Sequence, residues 1–168
     1  MKYTEKELIK LEIKRYKTDK LSSNLSLLAV LFNVFYFVCL YKVENIKVYT
    51  ILLGVSIVYN LLFMLAVFLS SVEIKIYNIK FAIVLLVMGV LQIARIFFLP
   101  TKFFLLNTEE DIILTSEVYT KLIIYLVISS ALLIASGIVG LINSIRMRNY
   151  KKYLQINAQV KGDALCQI

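Results

Sequence analysis

The sequence predicts an all-α integral membrane protein, with four transmembrane helices paired as two antiparallel hairpins and a short cytoplasmic helix at the N-terminus. Three observations carry that prediction. The 168 residues are 60% hydrophobic and only 18% charged, which places the chain in the membrane class before any motif is read. Its apolar residues fall in four blocks, about 21–41, 47–70, 80–99 and 122–144, instead of the alternation of a soluble core. Each block is close to the ~20 residues that cross ~30 Å of hydrocarbon at ~1.5 Å per residue. Finally, the cations gather at the two ends of the chain, beside the spans.

Residues 1–20 open with Thr4 and Glu7 at capping-box spacing, followed by good helix formers. Ile9, Ile13 and Tyr16 line one side of the expected helix, flanked by Lys6, Lys10, Lys14 and Lys17. Such a segment either lies on the inner membrane surface or extends the first span into water. A five-residue link, 42–46, joins the first two spans and forces a hairpin between them. Asn33 in the first span and Asn60 in the second then fall at similar depth. An amide in hydrocarbon is costly without a partner, so both are expected to face protein and to act as glue between helices.

After a short polar turn at 71–80, the third span carries Arg95, the only charged residue inside an apolar block, and ends at Pro100, the chain's only proline. Gln92 lies three residues before Arg95 and so shares its side. Two readings of Arg95 stay open: its guanidinium snorkels to the headgroups, or it forms a buried ion pair with an acidic group of this chain or of a partner. The connection 101–121 follows, with Glu109, Glu110, Asp111 and Glu117 as a solvated acidic loop; their spacing matches no calcium-loop motif. In the fourth span Ala131 and Ala135, then Ser136, Gly140 and Ser144, recur at intervals of four, the spacing that lets two helix backbones approach. Their neighbour is another span of this chain or a different protein. The tail, 146–168, is basic: Arg146, Arg148, Lys151 and Lys152 alternate with Tyr150 and Tyr153, and its last dozen residues read as disordered.

With four spans both termini share a side. That side holds 14 Lys and Arg and the other holds 4, with Arg95 as the nineteenth inside a span. The positive-inside rule therefore puts both termini in the cytoplasm and the acidic loop outside, where Glu44, Glu109, Glu110, Asp111 and Glu117 become possible partners of Arg95. The N-terminal segment is longer than a signal peptide's basic region and has no small-residue cleavage site, so it reads as uncleaved. The formal charge of +8 reflects cations facing anionic lipid, not nucleic acid.

Chemistry is excluded by what the spans lack. Histidine is absent, and Cys39 and Cys166 are too far apart in the chain's plan to pair, so no metal centre, disulfide framework or cofactor is expected. Cys166 also lies one position too late for a prenylation box. All eleven acids lie outside the apolar blocks, which leaves no carboxylate pair for catalysis and no acid for ion coupling. No catalytic residue is expected.

The stretch KRYKTDKLSSNLSLLAVLFNVFYFV, together with YNLLFMLAVFLSS, resembles small four-span membrane proteins of low-GC Gram-positive bacteria associated with sugar ABC importers. The resemblance covers the first two spans and transfers no site residues. It implies a plasma-membrane subunit of a carbohydrate importer. Taken with the missing chemistry, the expected function is an accessory or scaffolding subunit of a larger integral membrane complex that binds laterally within the lipid bilayer. The alternative is a small oligomeric transporter or channel acting on its own, with Gln92 and Arg95 facing water.

Overall fold

The computed structural model describes residues 4–16, 18–41, 50–106 and 116–165. They form five helices: α1 (Glu5–Tyr16), α2 (Lys20–Tyr41), α3 (Thr50–Ile74), α4 (Ile79–Leu106) and α5 (Ser116–Leu165). The protein is all-α, and α2 to α5 are each long and apolar enough to cross a membrane.

Helix starts follow local chemistry. At α1 the Thr4 backbone N–H and hydroxyl both donate to Glu7 Oε2, at 3.0 and 2.7 Å, closing the capping box. Asp19 caps α2, its Oδ1 accepting from the Ser22 N–H at 3.4 Å. Asn78 caps α4 in the same way, its side-chain oxygen accepting from the Lys80 N–H at 3.3 Å. Between α3 and α4 the chain reverses through Tyr77, whose φ of 62° is left-handed and ends α3.

Three boundaries differ from the sequence reading. Helix α3 continues past Ser70 to Ile74, because Ser71 finds a partner on α2 and Ile74 is fully buried. Helix α4 does not stop at Pro100 but runs to Leu106; a proline forgoes one backbone hydrogen bond without obliging the helix to end. Most changed is the last element. The fourth span was expected to end near residue 144, yet α5 continues for 50 residues to Leu165, since nothing between Gly140 and Gly162 breaks a helix. The acidic-loop residues 107–115 lie outside the described residues, as do 42–49.

Packing follows the order α5, α2, α3, α4 and back to α5, with α5 making its most extensive contacts to α4 and α2. Close approach at α5 depends on glycine: a Cβ at Gly137 would meet Leu86 Cγ at 2.7 Å, and one at Gly89 would meet Ile134 Cγ1 at 2.8 Å. The interior holds Ala29, Phe63, Val67, Ala82, Leu85 and Leu133, but also Ser22, Ser23, Ser26, Asn33, Asn60, Gln92, Arg95, Ser129 and Ser136. Meanwhile Leu31, Phe35, Val55, Leu62, Val87, Val90 and Phe97 point outward and are exposed. Polar inside and apolar outside is the reverse of a water-soluble bundle.

A buried arginine cluster as the candidate functional site

Serines fix the register on which the cluster is built. Ser22 and Ser136 exchange hydrogen bonds, each hydroxyl donating to the other's carbonyl at 2.7 Å. The Ser129 hydroxyl donates to the Ala29 carbonyl at 3.0 Å. As α2 advances from 22 to 29, its partner on α5 retreats from 136 to 129, so the two helices run in opposite directions. On the other side of α2, the Ser23 and Ser71 hydroxyls bond at 3.0 Å and join α3. Ser, unlike Leu, can sit in such a contact because it is small and satisfies its hydroxyl there.

Further along α2 comes Asn33, fully buried, whose Oδ1 accepts from two α4 side chains: Gln92 Nε2 at 3.0 Å and Arg95 Nη1 at 3.4 Å. Three residues on, Tyr36 presents its ring to the guanidinium, with Arg95 Cζ 4.5 Å from the ring centroid. Tyr59 of α3 supplies a second ring at 5.1 Å. Arg95 is only 3% exposed. The bundle encloses its guanidinium, which among the described residues meets no carboxylate; two aromatic faces and one amide oxygen surround it. Of the acids named as possible partners, Glu44, Glu109, Glu110 and Asp111 lie outside the described residues, and the side chain of Glu117 is not described either.

Asn60 is also fully buried, but it does not bond to Asn33. Several buried polar atoms have no hydrogen-bond partner among the described residues: Asn33 Nδ2, Gln92 Oε1, and Arg95 Nε and Nη2 in the cluster, and both amide atoms of Asn60 and Ser56 Oγ on α3. Unmade hydrogen bonds in an apolar surrounding are expensive, so the cluster is electropositive and hydrogen-bond hungry. Amide side chains are neither acids nor bases near neutral pH, and a guanidinium keeps its charge. What the arrangement can do is hold a polar or anionic group, not transfer a proton.

The helix-packing residues divide between two faces. Ser136, Gly140 and Ser144 are buried within the bundle, where a Cβ at Gly140 would meet Ile74 and the Ser22 hydroxyl. Ala131 and Ala135 are exposed on the outer side of α5. Rows 131/135 and 136/140/144 are separated by ~100° on a helix, so one faces in and its neighbour out. Tyr36, Tyr59 and the serine pairs were not singled out from sequence. The available signal was spacing, since Tyr36 follows Asn33 by three and Tyr59 adjoins Asn60.

At the opposite end of the bundle a second polar group ties α1 down. Asn143 of α5 donates to Asp19 Oδ2 at 2.7 Å and accepts from Lys14 Nζ at 2.7 Å. The Asp19 N–H donates to the Lys75 carbonyl at 3.1 Å, and the Tyr77 hydroxyl to the Lys14 carbonyl at 3.3 Å. Burial, and then the Asp19 carboxylate, push the Tyr77 phenol above its ordinary value. Ile9 and Ile13 remain exposed on α1.

Comparison of the chain with protein-family models, curated proteins and solved structures finds no significant match in any of the three.

Proposed function

We propose that the chain is a multi-pass plasma-membrane protein with both termini in the cytoplasm, and that it serves as an accessory or scaffolding subunit of a larger integral membrane complex. Helices α2 and α3 form one antiparallel hairpin and α4 and α5 the other, all four crossing the bilayer. The partner is an integral membrane protein bound laterally, and the resemblance of the first two spans points to a carbohydrate importer.

One observation carries this reading: α5 is about 75 Å long at ~1.5 Å per residue, more than twice the ~30 Å of a bilayer's hydrocarbon. Ser144, Met147 and Tyr150 are the last residues of α5 buried in the bundle, and beyond them the helix continues to Leu165 as a rod with Lys151, Lys152 and Ile156 exposed. A rod stiffly coupled to a membrane bundle is suited to holding a partner at a set distance. Affinity purification from source membranes in mild detergent tests it. A larger integral membrane protein should co-elute with the full chain and be lost when the chain is cut after Tyr150. Elution of the chain alone, or as a homo-oligomer, removes the proposal.

The unpaired donors around Arg95 favour a second reading, a small oligomeric transporter or channel that admits anions. Anion flux in liposomes containing only this chain, abolished by Arg95→Met, would select it over the subunit.

A further inference from the structure

Where α4 begins, a cavity of about 490 Å³ opens between the Tyr77 turn and the stretch of α5 from Ser144 to Gln155. Every ionised group lining it is a cation: Lys80 from the start of α4, and Arg148, Lys151 and Lys152 from α5. Its wall includes Asn78, the cap of the 28-residue α4, so the positive end of that helix also opens here. Ser144 lines it too. That residue is 1% exposed, and its hydroxyl has no hydrogen-bond partner among the described residues.

These features point in one direction. A buried hydroxyl without a partner is a cost the fold carries unless a ligand satisfies it. Four cations line one cavity with no carboxylate among the described residues of its wall, so its potential favours an anion. A helix N-terminus beside them offers backbone N–H groups with the geometry tetrahedral oxyanions accept. Met147 and Ile79 add apolar surface to the wall, suited to a small organic group attached to the anion.

We propose that this cavity binds a phosphate ester. Its phosphate lies among Lys80, Arg148, Lys151 and Lys152, and one oxygen accepts from the Ser144 hydroxyl. Both an anionic lipid headgroup and a soluble phosphorylated molecule present that chemistry. The inference stands apart from the subunit reading, since it needs neither a partner protein nor a particular orientation in the membrane.

The test uses the full chain in a neutral detergent, with phosphatidylglycerol, phosphatidylcholine, glycerol 1-phosphate and inorganic phosphate as probes, and binding read by native mass spectrometry. Phosphatidylglycerol retained in preference to phosphatidylcholine, and not displaced by glycerol 1-phosphate, identifies a lipid ligand. Glycerol 1-phosphate binding on its own identifies a soluble one. In either case the triple variant Lys80→Gln, Arg148→Gln, Lys151→Gln should lose at least about tenfold in affinity, and Ser144→Ala about tenfold with no fall in thermal stability. A control removing three cations elsewhere, Lys6→Gln, Lys10→Gln, Lys20→Gln, should leave binding unchanged. Equal loss in the control and the triple variant would reduce the effect to diffuse surface charge and overturn the proposal. So would the absence of binding by every probe.

Discussion

Arg95 and Tyr36 meet face to charge inside the bundle, the guanidinium carbon 4.5 Å from the ring centroid and both side chains almost fully buried. The quadrupole of the ring takes over part of what water or a carboxylate would do for the cation. Two guanidinium nitrogens nevertheless lack partners among the described residues. Arg95→Met should therefore leave the bundle as stable as before or stabilise it by up to a few kcal/mol, because it removes a poorly compensated buried charge. Tyr36→Leu should destabilise it, and the double-mutant coupling should be about 0.5–2 kcal/mol in denaturant unfolding. Zero coupling would mean that the ring only fills space.

Two glycines should respond in opposite directions to the same change. At Gly140 a Cβ would stand 2.8 Å from Ile74 Cγ1 and 2.9 Å from Ser22 Oγ, whereas at Gly54 nothing lies within 4 Å. Gly140→Ala should cost about 1–3 kcal/mol by forcing α5 from α2 and α3. Gly54→Ala should be neutral or gain up to about 1 kcal/mol from helix propensity. Thermal unfolding of the pair in one detergent reads the contrast, and similar shifts for both would refute the packing described.

Asn143 is the joint between α1, the start of α2 and α5, since it bonds both Lys14 and Asp19. Replacing it with leucine keeps the volume but removes both bonds, which should cost about 1–3 kcal/mol. Amide exchange over residues 5–16 should quicken while the middle of α5 is unchanged. Uniform quickening along the chain would show a general loss of stability instead.

The α1 cap carries a pH dependence. Hydrogen bonds from the Thr4 hydroxyl, and then from the Thr4 backbone, hold the Glu7 carboxyl below the ordinary glutamate range. A carboxylate with a depressed folded-state value stabilises the helix fully above its unfolded value, and that contribution disappears as pH falls through the folded value. Exchange protection in the first turn of α1 should thus decline between about pH 5 and about pH 3. The decline should be absent in Glu7→Gln, and a pH profile identical in the two proteins would contradict the cap.

The sequence was informative wherever one residue's cost fixes its surroundings. Block length alone marks the four long apolar helices, and an amide or a cation deep in such a block has to turn inward, as Asn33, Asn60, Gln92 and Arg95 do, while Asn24, one turn from the start of its block, stays exposed. Which of them touch was not legible. Helices that are apolar all round have almost no preferred face, so the pairing of Asn33 with α4 instead of with Asn60 depends on packing that no local period encodes. The serine contacts were hidden for the same reason: the 136/140/144 row marks Ser136 as a packing residue, but its partner Ser22 emerges only once α2 and α5 are side by side. Pro100 is a helix breaker by type yet lies inside α4, and the polar helix formers after residue 144 resemble a loose tail although α5 runs through them.

The most direct measurement is sidedness of labelling. In a background with Cys39 and Cys166 replaced by serine, single cysteines are placed at Glu109, between α4 and α5, and at Asn157 on the α5 rod, and intact cells are treated with a thiol reagent that cannot cross the membrane. The account predicts labelling at 109 and none at 157 until the cells are opened. Labelling of 157 in intact cells would contradict it.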